Sequence, residues 1–207
     1  MIKLIGLGQP ALRVQSTLAL AVAAFLVLAG PRPSAYAVNL VANGGFEAGD
    51  FTGWTVAHSA LGGTYGVDNT GVYAHSGSCA ATLGPYGADG LLSSQSFPTT
   101  AGQQYELTYW VANISDAQGH IYNNDFYAAW NGAEILASAL FNVGPFDYAR
   151  YDFIVTGAAG TSSVSFGMRQ DPMFFALDDV SVTPTPEPAA AISLALLGIA
   201  ACRPKRT

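Results

Sequence analysis

The chemistry this chain could perform rests on a few carboxylates and aromatic rings. In "ALDDVSV", strand alternation sets Asp178 on the face of Val180 and Val182, the core side if those valines are buried. An unpaired buried carboxylate costs several kcal/mol at least, so it needs either turn amides or a hard cation such as Ca²⁺ that accepts carboxylate and carbonyl oxygens together. Glycoside hydrolysis needs two carboxylates at a set separation, and Glu47, Glu106 and Glu134 are available ahead of the tail. Any acidic β-domain offers as much, so no catalytic pair is assigned. His58, His75 and His120 sit in loop-like sequence without metal-ligand spacing, and neither a nucleophile elbow nor a glycine-rich phosphate loop precedes a helix pattern. Surface or turn positions are their default.

The aromatics carry a second possibility. In "QYELTYWVA" the alternation buries Tyr105, Leu107, Tyr109 and Val111 and turns Trp110 outward with Glu106 and Thr108. The same phasing points Phe126, Ala128 and Trp130 inward, leaves Tyr127 outward, and puts Arg150 and Arg169 off the core. An outward Trp110 and Tyr127 with Arg169 could stack on sugar rings and donate to hydroxyls. The same rings could equally lie under a loop as a second small core.

Strands must position these side chains. Between residues 38 and 187 helical periodicity is absent, whereas short alternating, aromatic and β-branched runs recur between Gly, Pro, Asn and Asp. Strands are predicted at 54–57, 78–83, 91–97, 104–112, 125–130, 133–137, 151–155, 162–168 and 174–183. Asn131-Gly132 is the clearest turn, since both residues tolerate the positive φ of a two-residue hairpin. Turn signals come too often for βαβ units, and the pattern is that of an all-β, two-sheet sandwich of the jelly-roll kind.

The flanks read differently. Lys3 and Arg13 precede the apolar stretch 18–29, and "SAYA" supplies small residues at Ala35 and Ala37, the layout of a secretory signal over 1–37. At the other end, Pro186-Glu187-Pro188 precedes an apolar run, Ala189 to Cys202, and then Arg203, Lys205 and Arg206. As a helix that run covers roughly 21 Å against a hydrocarbon core of about 30 Å. Between the flanks, Arg150 and Arg169 face all 14 carboxylates and lysine is absent. Such a surface repels phosphate backbones, which excludes nucleic acid as a partner, and it attracts divalent cations. Cys79 lacks a partner within the domain and reads as a small buried strand residue.

Two stretches, "NLVANGGFEAGDFTGWTV" (39–56) and "FALDDVSVT" (175–183), resemble the opening and closing strands of the galactose-binding-like jelly rolls, a group that includes the family four and family nine carbohydrate-binding modules. The resemblance implies that the first and last strands lie side by side and that Glu47 joins Asp178 as a ligand of a structural calcium. The tail resembles the PEP-CTERM sorting signal, which implies recognition by an exosortase in the inner membrane of a Gram-negative bacterium. The expected organisation is a signal peptide over 1–37, a jelly roll over 38–183 and a sorting tail over 184–207. The expected function is a non-catalytic envelope or extracellular-matrix protein that meets the membrane through its tail and binds a polysaccharide through Trp110, Tyr127 and Arg169. A structural biofilm protein without a small ligand is the alternative, and a glycoside hydrolase the distant third.

Overall fold

The computed structural model describes residues 38–114 and 118–186. The expected signal segment 1–37, Glu187 and Pro188 of the expected sorting motif and the apolar run lie outside the described residues; Pro186 is exposed at their edge. Among the described residues no helix is long and apolar enough to cross a membrane.

The strands are β1 (Trp54–Ala57), β2 (Gly63–Asp68), β3 (Ala80–Pro85), β4 (Gly90–Ser94), β5 (Phe97–Thr99), β6 (Gln104–Ile114) and β7 (Asn124–Trp130), followed by β8 (Ala133–Glu134), β9 (Leu140–Phe141), β10 (Phe146–Thr156), β11 (Gly160–Ser162), β12 (Val164–Gln170) and β13 (Phe174–Pro184). All pairings are antiparallel. Sheet A runs β1-β4-β12-β7-β8, with β9 also on β7; sheet B runs β10-β6-β13-β3-β2; β11 and β5 form a small ribbon. The hairpin turn falls where the sequence places it: Asn131 and Gly132 have φ of 51° and 78°, and Trp130 pairs with Ala133. β2 and β9 were not legible, because "GTYGVD" and "LF" carry no alternation long enough to register.

The two sheets close on an aromatic core, which confirms the jelly-roll sandwich. Tyr109 of sheet B meets Phe166 of sheet A edge-on at 5.0 Å between centroids, and Phe126 of sheet A lies 5.3 Å from Phe175 of sheet B. Tyr105, Leu107, Tyr109 and Val111 are buried as the alternation demands, and so are Phe126, Ala128 and Trp130. Trp130 also donates from Nε1 to the Thr156 carbonyl at 2.8 Å, tying sheet A to β10 of sheet B.

The opening segment lies beside the last strand without becoming one. Leu40 N–H donates to the Val182 carbonyl and Val180 N–H to the Gly44 carbonyl, both at 2.9 Å. Asn39 completes the join, accepting from Val182 N–H and donating to the Val180 carbonyl. A Cβ on Gly44 would overlap that carbonyl, so the close approach requires glycine.

One expectation fails here. β13 pairs Leu177 with Val111 and Asp178 with Trp110, then Ser181 with Thr108, so β13 spends one residue more than β6. This β-bulge, with Asp179 at φ 50°, resets the phase of the strand. Val180 and Val182 are buried in the core, but Asp178 shares the outer face of sheet B with Trp110, not the core side with the valines. Strict alternation misplaces it because a bulge leaves no mark in apolar patterning.

Candidate functional site

The three residues expected to form one sugar platform divide between two faces. Trp110 belongs to sheet B, whereas Tyr127 and Arg169 belong to sheet A on the adjacent strands β7 and β12. A single platform of all three is therefore excluded by the fold.

On the outer face of sheet A, Tyr127 is directly opposite Gly167. A Cβ on Gly167 would overlap Cζ, Oη and Cε1 of Tyr127, so the phenol lies across β12 on a bare stretch of backbone. This seats the ring flat on the sheet, with one face against peptide. In the next row Arg169 opposes Asp125, and Asp125 opposes Phe141 of β9. Cross-strand partners share a face, so Phe141, 69% exposed, joins Tyr127 on it. Diagonal neighbours of this kind lie roughly 7–8 Å apart. Phe141 was missed in the sequence because its strand is two residues long.

Charge surrounds these rings. Arg169 donates from Nε and Nη2 to Oδ2 of Asp171, at 2.8 and 2.6 Å, and Asp171 also accepts from Gly87 N–H at 2.9 Å. Burial pushes the Asp125 carboxyl up to about 6, Asp89 and Asp171 adding to the shift and Arg169 opposing it. Its Oδ1 is buried and has no hydrogen-bond partner among the described residues. The Tyr127 phenol is raised by burial, then by Asp89, Glu134 and Asp125.

On sheet B the outer face is covered around Trp110 and Asp178. The segment 69–79 folds over it as a strap, and carboxylates hold its backbone. Asp68 accepts from Thr70 N–H and Tyr73 N–H, Asp178 from His75 N–H at 2.8 Å and Ser76 N–H at 3.2 Å, and Glu47 from Ser78 N–H and Cys79 N–H at 2.8 and 2.9 Å. Asp179 takes the His75 ring at 2.7 Å and the Ser76 hydroxyl at 2.7 Å. The His75 ring stacks on Trp110 at 3.8 Å, and Tyr148, whose hydroxyl donates to the Tyr73 carbonyl, meets it edge-on. Trp110 is thus half-buried beneath a strap, the second of the two environments open to it. His75, expected as a bland turn residue, is the strap's anchor; only the fold brings it over Trp110.

Glu47 and Asp178 do converge, at the strap and around Gly45. A Cβ on Gly45 would come 3.7 Å from Oδ1 of both Asp178 and Asp179 and 3.8 Å from Cγ of Glu47. Glu47 is exposed, whereas Asp178 is fully buried and keeps its oxygens on three backbone N–H groups, that of Asp179 included. Burial, with the Asp179 charge, still raises its carboxyl to about 6 against those bonds. The donors are all hard oxygens, which suits Ca²⁺, and in the structure the strap amides bond Oδ2 of Asp178 and Oε1 of Glu47. Among the described residues no three His, Cys, Asp or Glu side chains group as a ligand set.

The glutamates are dispersed: Glu47 at the strap, Glu106 on sheet B and Glu134 beside Tyr127 on sheet A. Cys79 is buried as expected, but it lies one residue before β3 and not within a strand.

Neither a family model nor a curated protein matches this sequence. Among solved structures the chain is similar to the enzymatically active domain of tailspike protein 4 of bacteriophage CBA120, with 15% identity over 72% of this chain and a TM-score of 0.52; it spans 22% of that chain. It is also similar to the TmCBM61 module in complex with β-1,4-galactotriose, at 16% identity over 72% of this chain and 99% of that one, TM-score 0.49. The CBM22-1 xylan-binding domain from Paenibacillus barcinonensis Xyn10C gives 16% identity over 73% and 97%, TM-score 0.48. At these identities the likeness is one of fold.

Proposed function

We propose that this protein is a non-catalytic carbohydrate-binding protein and that its glycan lies on the outer face of sheet A. The observation that carries the reading is the Tyr127 ring, laid across Gly167 and flanked by Phe141, Arg169 and Asp125. A flat ring on a sheet presents the surface that the apolar C–H face of a sugar needs, and the polar groups beside it select hydroxyl positions. Two rings on neighbouring strands suit a stretch of polysaccharide better than a single terminal sugar. Arg169, held by Asp171, is pre-set to donate.

Export and sorting belong to the same proposal. The signal over 1–37 and the Pro186-Glu187-Pro188 tail would deliver the domain to the envelope or matrix of a Gram-negative cell, with an exosortase removing the tail. Intact-mass analysis of secreted protein tests that part: a chain still ending at Thr207 refutes tail removal. Calcium is its other part. Held by Glu47 and Asp178, the ion would neutralise carboxylates that meet at the strap and join the opening segment to β13.

The glycan reading is tested by screening the protein and its Tyr127→Ala variant on a glycan array. Binding that disappears in Tyr127→Ala and persists in Trp110→Ala supports the sheet A face. Binding unaltered by Tyr127→Ala, or no binding to any glycan, refutes it.

A further inference from the structure

We infer that the free edge of β10 is an interaction surface and that its partner is β10 of a second copy of this chain, paired antiparallel about Tyr151. The dimer does not depend on the glycan reading.

A strand at the rim of a sheet leaves N–H and C=O groups free to pair with another chain, and proteins blunt such rims by keeping them short, breaking them or covering them. The other rims of this sandwich follow that rule: β1 has four residues, β8 and β9 two each, and β2 six with Gly63 and Gly66 among them. β10 does not. It runs for 11 residues without lysine or proline, pairs with β6 on one side, and among the described residues no strand pairs with its other side. Its bulge falls between Phe146 and Ala149, so 149–156 keeps an unbroken register.

The two faces of this segment select the partner. On the core side Tyr151 and Phe153 lie 5.3 and 6.2 Å from the buried Tyr109 ring, yet both remain half-buried at the rim. On the outer side Arg150 reaches Asp152 at 2.6 Å and Glu106 at 3.8 Å, all three being about half exposed. Backbone donors alternate in direction along a strand, so two copies can pair only in registers that set odd-numbered residues opposite odd and even opposite even. Centring on Arg150 opposes two guanidiniums, and centring on Asp152 opposes two carboxylates; both are repulsive. Centring on Tyr151 sets Arg150 opposite Asp152 of the second copy, twice by symmetry. On the core side it sets Ala149 opposite Phe153, small against large, with the two Tyr151 rings meeting on the axis. The strand is thus self-complementary in charge and size at this register, and the guanidinium fork has donors for both its own Asp152 and the second copy's.

Cross-strand partners share a face, so the two-fold axis stands perpendicular to sheet B and the outer faces of both copies' sheet A point the same way. Two Tyr127 faces so aligned would engage one polysaccharide together, a consequence that, unlike the dimer, rests on the proposed glycan face.

Sedimentation velocity of the full chain tests the dimer. At about 100 µM the protein should sediment as a dimer that dissociates on dilution, as a small interface implies. Arg150→Asp and Asp152→Arg should each raise the dissociation constant at least about tenfold, because each sets like charges opposite one another. Mixing the two variants should restore the dimer, since their altered strands complement each other. The changed side chains are about half exposed, so melting curves should stay near the parent's. A parent that remains a monomer, single variants that associate as the parent does, or a mixture that associates no better than its components overturns the inference. Association arising elsewhere in the chain gives the second of these outcomes.

Discussion

Gly167→Ala is the sharpest perturbation of the binding face, since it adds one methyl where the Tyr127 ring lies. The added Cβ would overlap three atoms of the phenol, so the ring must rotate off β12. A sugar face that covered roughly 70 Å² of apolar ring loses that contact, worth about 1.8 kcal/mol at ~25 cal/mol per Å², or about 20-fold in affinity. Folding should hardly respond. Alanine in a strand gains roughly 0.5–1 kcal/mol over glycine, and exposing the underside of the ring costs a similar amount, so Tm should move by no more than about 3 °C. The assay is calorimetric binding of the best array glycan, with a melting curve on the same sample. A second background makes the result specific: in Tyr127→Ala the further change Gly167→Ala should cost no additional affinity, because the two act through one contact. Unchanged affinity in Gly167→Ala, or additive losses in the double variant, would refute the stacked-ring reasoning.

Three further outcomes follow from the strap and the buried carboxylates. Trp110→Ala should lower stability by about 2–3 kcal/mol and Tm by roughly 5–10 °C, because the indole is half-buried and stacked under His75; an unchanged melting curve would show that the strap does not rest on it. Calcium should raise the melting midpoint relative to EDTA, and both Glu47→Ala and Asp178→Ala should abolish the difference; identical midpoints for the parent protein dismiss the ion. In EDTA, stability should rise as pH falls from 7 towards 5. The folded-state carboxyls of Asp178 and Asp125 titrate near 6 and their unfolded forms near 3.8, so the folded chain binds protons first and this contribution is lost as pH rises through 6. A midpoint that falls over this range contradicts the raised carboxyls.

What the sequence alone determined was whatever depends on local periodicity. Alternation in "QYELTYWVA" and "DFYAAW" set the inward and outward sides of β6 and β7, and Asn131-Gly132 set the hairpin, because side-chain period and turn dihedrals are properties of a few adjacent residues. The amide bonds of Asp178 lay beyond it, since a bulge at Asp179 and a strap from residues 69–79 decide which face that carboxylate takes and what covers it. Strand order decided the rest. It parted Trp110 from Tyr127, brought Phe141 beside Asp125, and set Gly167 under the Tyr127 ring, three relations between residues 16 to 40 positions apart that no local pattern encodes. A glycine inside a strand looks like a weakness in sequence; its use as the bed for an aromatic ring exists only once β7 and β12 lie side by side.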